Sequence, residues 1–268
     1  MDFKRISSAL IGLPLVLIVF IFGNKYVVDV SIAIISAICL HEYFNSIKGK
    51  YNPVVWVGYL VSILIAFVHV IPQDVVLYVL AAFLPSVIVI LFLHILLSQM
   101  KTNLTDVSVT TFGICYIAFF LLFLPIIHGL PNGKIWVGLL LIIAWGTDIF
   151  AYTAGKVIGK HKFSKISPNK TIEGCIGGVV GAVVLALIYA LIINNTTDLS
   201  LNYVIIGSVA VILSIISQIG DFAASSIKRY VGIKDFSNLI PGHGGMLDRI
   251  DSVIFIAPFA YILIKIIM

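Results

Sequence analysis

Long apolar runs set the first limit on what this chain can fold into. About nine stretches are long enough, or nearly so, to cross a hydrocarbon core as helices, which takes roughly 20 residues each. They fall near 6–22, 26–41, 54–71, 75–97, 107–128, 135–155, 172–193, 203–224 and 250–267, the second and ninth being short. With hydrophobic residues at 60%, charged residues at 11% and a mean hydropathy of +1.14, this much apolar surface cannot be hidden inside one water-soluble globule. The expected fold class is all-α: a polytopic integral membrane protein of about nine transmembrane helices with the lipid bilayer as its solvent.

Positive charge orients such a bundle, because Lys and Arg concentrate in short cytoplasmic loops. One side of a nine-helix arrangement carries Lys4, Arg5, Lys48, Lys50, Lys101, Lys156, Lys160, Lys162, Lys165, Lys170, Lys228, Arg229, Lys234 and Arg249; the other carries Lys25, Lys134 and Lys265. The expectation is a multi-pass protein of the cell (plasma or inner) membrane with its N-terminus and polar loops cytoplasmic and its C-terminus outside. The first run has the Lys4-Arg5 start of a secretory signal, but no small-residue cleavage site follows around Phe22 to Tyr26, so it reads as an uncleaved span. The basic balance belongs to this orientation rule and to anionic partners; the aromatic-interleaved basic pattern of a nucleic-acid binder is missing. Cys39, Cys115 and Cys175 lack CxxC spacing and read as small buried hydrophobes. Without repeats or linkers the chain reads as one membrane domain over 1–268. Its N-terminal helices occupy 1–105, and a catalytic C-terminal half, 106–268, carries cytoplasmic loops 155–171 and 225–249.

Those two loops hold the chemistry. The first, GKVIGKHKFSKISPNKTIEG (155–174), collects five lysines, and its Ser167-Pro168 pair has the form of a helix N-cap followed by Pro at the first helical position. A helix start aims free N–H groups outward and attracts phosphate. GKVIGKH is no Walker A motif, since three residues separate its glycines and neither Ser nor Thr follows the Lys. Gly174, Gly177, Gly178 and Gly181 follow at small-xxx-small spacing, which close helix packing explains.

The second loop, IKRYVGIKDFSNLIPGHGGMLDRIDS (227–252), follows Asp221 at the end of the eighth span. If that helix continues, Asp221, Ser225, Lys228 and Arg229 share one face. A carboxylate ending an apolar span needs a partner, either a metal ion or those cations, and Asp148 in WGTDIFAY poses the same problem one turn before Tyr152. PGHGG reads as a tight turn able to approach a ligand closely. MLDRIDS opens the last helix with Asp248 and Asp251 three apart. Carboxylates beside cations at a membrane surface suit Mg²⁺-assisted phosphoryl or nucleotidyl transfer, in which His243 would serve acid–base work or hold the turn.

From Ser225-Ser226-Ile227-Lys228-Arg229 through Lys234-Asp235, Ser237, Ile240-Pro241-Gly242-His243-Gly244-Gly245-Met246 and Asp248-Arg249-Ile250-Asp251, the chain resembles the signature of the phosphatidate cytidylyltransferases, or CDP-diacylglycerol synthases. Asp148, Tyr152, Gly155, the Ser167-to-Thr171 run and Glu173-Gly174 resemble that family's second polar block. The resemblance implies a membrane enzyme that takes CTP and phosphatidic acid to CDP-diacylglycerol and pyrophosphate, with Mg²⁺, one ion or two, as cofactor, and a homodimeric assembly. It implies metal ligands at Asp221 and Asp248, with Asp251, Asp235 and Asp148 in support. Phosphate binding would fall to Lys228, Arg229, Lys234, Arg249, Lys170 and the Ser167 start, with Thr171, Tyr152, Ser225, Gly244 and Gly245 also at the substrates. Two other classes share parts of this pattern. A CTP-dependent lipid kinase would move the γ-phosphate, which the full PGHGG-x-x-DR-x-D signature opposes. A transporter would use Asp148 and Asp221 as an ion path, but paired broken helices in two related halves are not seen. HEYFN (41–45) lacks the second His of a zinc protease, leaving Glu42 as an interfacial residue or a minor neighbour of the site.

Overall fold

The computed structural model describes residues 18–72, 74–164, 167–242 and 244–268. Their regular structure is helical: α1 (Lys25–Ile47), α2 (Val55–Ile65), α3 (Val76–Leu97), α4 (Leu104–His128), α5 (Gly133–Ile158), α6 (Ile172–Thr196), α7 (Tyr203–Val231) and α8 (Leu247–Ile267). Seven of these are long and apolar enough to cross a membrane, which bears out the all-α membrane class but not the count of about nine. The short helix is α2, 11 residues followed by a 3₁₀ turn at Val68–Val70, where one span over 54–71 is the sequence expectation. Residues 18–22 are helical; the rest of the first expected span, with Lys4 and Arg5, lies outside the described residues, as do Lys165 and His243.

The chain divides into two compact units, residues 1–131 with 231–249, and residues 132–230 with 250–268. The first contains α1 to α4 and the signature loop. Its helices meet over buried apolar side chains such as Phe44, Leu40, Ile114 and Leu121. Several polar groups inside it are paired. Asn103 and Asp106 cap the start of α4 reciprocally, and Asp106 also accepts from the Asn52 N–H at 2.8 Å. Buried Asp29 accepts from the His69 N–H at 3.2 Å and lies 2.6 Å from its Nδ1. That pair joins α1 to the 3₁₀ turn that follows α2. A π turn at Ile114–Phe119 interrupts α4. By contrast α3 exposes apolar side chains along most of its length, Leu77 and Tyr78 among them, as a lipid-facing helix does.

In the second unit α5 and α6 pack closely along the small-residue stripe. A Cβ on Gly178 would stand 3.0 Å from both the Ala151 Cβ and the Thr147 carbonyl oxygen, so glycine is what permits this approach. The Thr147 hydroxyl lies 2.8 Å from Ser214 Oγ and joins α5 to α7 through buried polar atoms. At Gly220 of α7 a Cβ would stand 2.6 Å from Phe255 Cβ of α8, a second close helix crossing. Gly178→Val is expected to destabilise the protein by about 1–3 kcal/mol through overpacking. Gly207→Ala, whose nearest neighbour would be 3.9 Å away, should leave thermal unfolding in detergent almost unchanged.

Candidate active site

The polar residues of the second unit gather at one cavity of about 600 Å³, within the roughly 300–1,000 Å³ range of small-molecule sites. Three helices and one loop build it. From α5 come Asp148, Tyr152 and Lys156; from the 159–171 loop Lys162, Ser167, Asn169, Lys170 and Thr171; from α6 Cys175; and from α7 Gln218 and Asp221. Lys170 is ion-paired with Asp221, and its ammonium also lies 4.0 Å from the centre of the Phe222 ring. Both partners of the ion pair are half-buried, so the carboxylate at the end of this apolar span has its cation. The Ser252 hydroxyl donates to Asp148 Oδ1 at 3.4 Å. Asp251, buried at 7% exposure, has Asp221, Asp148 and Lys228 as its charged neighbours. Three carboxylates and two ammonium groups thus share a partly desolvated region, where charges act on one another more strongly than in water.

The loop that carries the lysines is itself built. Lys162 and Thr171 form an antiparallel bridge, Phe163 N–H donates to the Lys170 carbonyl at 3.0 Å, and Ile172 N–H donates to the His161 carbonyl at 2.9 Å. Glu173, one residue into α6, fastens its near end: it accepts from the Lys160 N–H at 3.1 Å and the His161 N–H at 3.2 Å, and lies 2.5 Å from His161 Nδ1. Phe163 stacks on Phe222 of α7 at 4.8 Å between ring centres. One expectation is corrected here. Ser167 does not start the helix; its carbonyl accepts from the Lys170 N–H in a turn, and the cap is Thr171, whose hydroxyl accepts from the Gly174 N–H at 3.1 Å. Pro168 lies inside that turn, three residues before the cap, and Thr171 offers the same oxygen acceptor as Ser167.

In the first unit the signature loop runs from the end of α7 to the start of α8. The described residues on either side of His243 turn tightly, as expected: Gly242 and Gly244 have φ of 78° and 84°, a region that favours glycine, and Ile240 N–H donates to the Gly244 carbonyl at 2.8 Å. Asp248 Oδ2 accepts from the Phe236 N–H at 2.8 Å and the Gly245 N–H at 3.0 Å, and Asp248 is 8% exposed. Lys234, Asp235 and Arg249 are exposed on this loop, and Arg229 is exposed near the end of α7. Helix α7 continues to Val231, so Asp221, Ser225, Lys228 and Arg229 do share one helical face. The residue underestimated from sequence is Glu42, which accepts from the Ser237 hydroxyl at 2.6 Å, the Met246 N–H at 2.9 Å and the Leu247 N–H at 2.8 Å. The HEYFN motif marks it, but nothing local in sequence gives its partners.

Asp148, Tyr152, Ser167, Lys170, Thr171 and Asp221 are therefore brought to one cavity, with Asp251 beside it, while Asp235, Gly244, Gly245 and Asp248 belong together in the signature loop. Among the described residues no group of three or more His, Cys, Asp or Glu side chains is placed as a closed metal cage.

Comparison with known proteins bears on the same chemistry. The sequence model of the cytidylyltransferase family matches residues 3–267. The chain is 32% identical to the phosphatidate cytidylyltransferase of Staphylococcus aureus (strain COL), across 97% of this chain and 98% of that protein. It is 30% identical, over the same shares, to the phosphatidate cytidylyltransferase of Staphylococcus epidermidis (strain ATCC 12228 / FDA PCI 1200). Against that of Staphylococcus haemolyticus (strain JCSC1435) it is 34% identical over 65% of each chain. Replacing Glu173 by Ala should loosen the lysine loop. Amide exchange at Lys160 and His161 is expected to speed up by about tenfold, a change that hydrogen-exchange mass spectrometry reads directly.

Proposed function

The chain belongs to the cytidylyltransferase family, and from that premise we propose that it transfers CMP from CTP to phosphatidic acid, giving CDP-diacylglycerol and pyrophosphate for phospholipid biosynthesis. The observation that carries the proposal is the polar cavity of the second unit, where Lys156, Lys162 and Lys170 meet Asp148 and Asp221 at the end of apolar helices. Such a place can receive a triphosphate from water and a lipid phosphate from the bilayer. An oxygen of the phosphatidate phosphate attacks the α-phosphorus of CTP; the new P–O bond forms as the bond to the β-phosphate bridging oxygen breaks, and pyrophosphate leaves. A phosphate monoester is already an anionic nucleophile, so no Ser or Cys nucleophile is required.

The donors present suit a hard divalent cation in chemistry: Asp148, Asp221 and Asp251 in the second unit, Asp248 and Asp235 in the first. These residues would hold Mg²⁺, one ion or two, and Mg²⁺ there would supply neutralisation of triphosphate charge. Lys170, Lys228, Arg229, Lys234 and Arg249 would hold phosphate oxygens and offset the charge that develops at the α-phosphorus. Ser167, Thr171, Tyr152 and Ser225 would line the substrates, with Gly244 and Gly245 giving close backbone approach; His243, outside the described residues, would serve proton transfer. The same proposal places the N-terminus and both loops in the cytoplasm and the C-terminus outside, and makes the working enzyme a homodimer.

Phosphatidate vesicles supplied with CTP labelled at the α or the γ position separate the reactions. Lipid that gains α-label with release of pyrophosphate is the expected result; γ-label in lipid would identify a kinase, and no label in either case would favour transport. In folded Asp248→Asn protein the rate is expected to collapse by about 10²-fold or more at every Mg²⁺ concentration, a loss typical of removing one group that stabilises transition-state charge. A near wild-type rate there would exclude Asp248 as a metal ligand. Lys48→Ala and Lys50→Ala, which touch only exposed orientation charges, should leave turnover nearly unchanged.

A further inference from the structure

The signature loop is held by a carboxylate that its own sequence does not supply. Glu42, on α1, is 3% exposed and takes donors from residues 195 to 205 positions away: the Ser237 hydroxyl, the Met246 N–H and the Leu247 N–H. A buried carboxylate is costly unless its oxygens are satisfied, and three donors do that. Two of those donors are N–H groups at the start of α8 that have no partner within the helix. Gly245 completes the fit. A Cβ at that position would stand 2.6 Å from Glu42 Oε2, while the Gly245 N–H donates to Asp248 Oδ2 at 3.0 Å. One glycine therefore serves two acids, clearing room for Glu42 and hydrogen-bonding Asp248.

We propose that Glu42 is a positioning residue for the transfer reaction, acting by fixing the Ser237-to-Leu247 segment on which the orientation of Asp248 depends. The inference rests on the proposed cytidylyl transfer and on a role for the signature loop within it. An ordinary helix cap would add stability and nothing more, whereas a positioning carboxylate changes turnover in protein that is fully folded. Gly245→Ala should then act like a Glu42 variant, because it drives the carboxylate out of its seat.

The test compares purified full-length Glu42→Ala, Glu42→Gln and Gly245→Ala with Asp248→Asn, using steady-state kinetics, thermal unfolding and amide exchange. In Glu42→Ala, kcat is expected to fall by about 10²-fold, the scale of a misplacement of roughly 1 Å, with KM for CTP little changed. The Mg²⁺ concentration for half-maximal rate should rise, and amide exchange at Met246 and Leu247 should speed up. Glu42→Gln, which keeps the shape and one accepting oxygen, should fall between wild type and Ala. Wild-type kcat and Mg²⁺ dependence in folded Glu42→Ala would overturn the proposal, however far its melting temperature drops. If the Ala variant does not fold, the same result in Glu42→Gln would overturn it. A wild-type Glu42→Ala beside an inactive Asp248→Asn removes the role of Glu42 alone. A wild-type Asp248→Asn beside an impaired Glu42→Ala removes the metal assignment and overturns the route through Asp248 by which Glu42 is proposed to act.

Discussion

Hydrocarbon cannot solvate a carboxylate, and the polar architecture of this chain follows from that. Each acid buried or half-buried in an apolar helix brings specific partners with it. Asp29 has His69, Glu42 has the signature loop, Asp248 has two backbone N–H groups, and Asp221 has Lys170. These pairings stabilise little in net terms, because desolvation offsets most of their Coulombic gain. Several of them also join segments far apart along the chain. Asp29 ties α1 to the 3₁₀ turn after α2, Asp106 ties the Asn52 turn to the start of α4, and Glu42 ties a C-terminal loop to the first described long helix.

Much of this fold is legible in the sequence because lipid makes helix the only open choice for a lone spanning segment. The expected runs 75–97, 135–155, 172–193 and 203–224 correspond to α3, α5, α6 and α7 with ends moved by a few residues. What moves an end is polar chemistry that hydropathy averages away. The Asn103–Asp106 capping box starts α4 earlier than the expected 107, and α7 runs on to Val231, which puts Asp221, Ser225, Lys228 and Arg229 on one helical face. The 54–71 run is not a single helix: α2 stops at Ile65, and the 3₁₀ turn after it meets Asp29, 40 residues back along the chain, a partner no hydropathy window includes.

The candidate site divides in the same way. Glycines and their spacing announced the PGHGG turn, since a positive φ is a local property that local sequence encodes. The Ser167-Pro168 pattern misled because two side chains, Ser167 and Thr171, can each cap a helix, and the bridge between Lys162 and Thr171 selects the second. Glu42 was underrated for the opposite reason. Its partners are far away in sequence, and a lone acid near a helix end looks interfacial until the loop that covers it is known. Asp248 and Asp251, identical in type and three residues apart, likewise meet different surroundings: two loop N–H groups for one, the Ser252 N–H and other charged side chains for the other.

Lysine carries two meanings in such a protein, and composition alone cannot separate them. The positive charges that orient the helices by the cytoplasmic rule are the same kind that grip a triphosphate. Their surroundings differ. Lys48 and Lys50 stand exposed at the end of α1, whereas Lys156, Lys162 and Lys170 line the polar cavity, and Lys170 is already engaged with an acid. An ammonium held by a carboxylate is already in place before an anion arrives, so on the proposed function little reorganisation is needed for phosphate oxygens to take over as its partner. On the proposed function that exchange also releases Asp221 from its counter-ion at the moment the triphosphate arrives. The Lys170–Asp221 pair then reads as a site held ready for charge that the substrate brings, which gives this ion pair a reason to sit where net stabilisation gives it little.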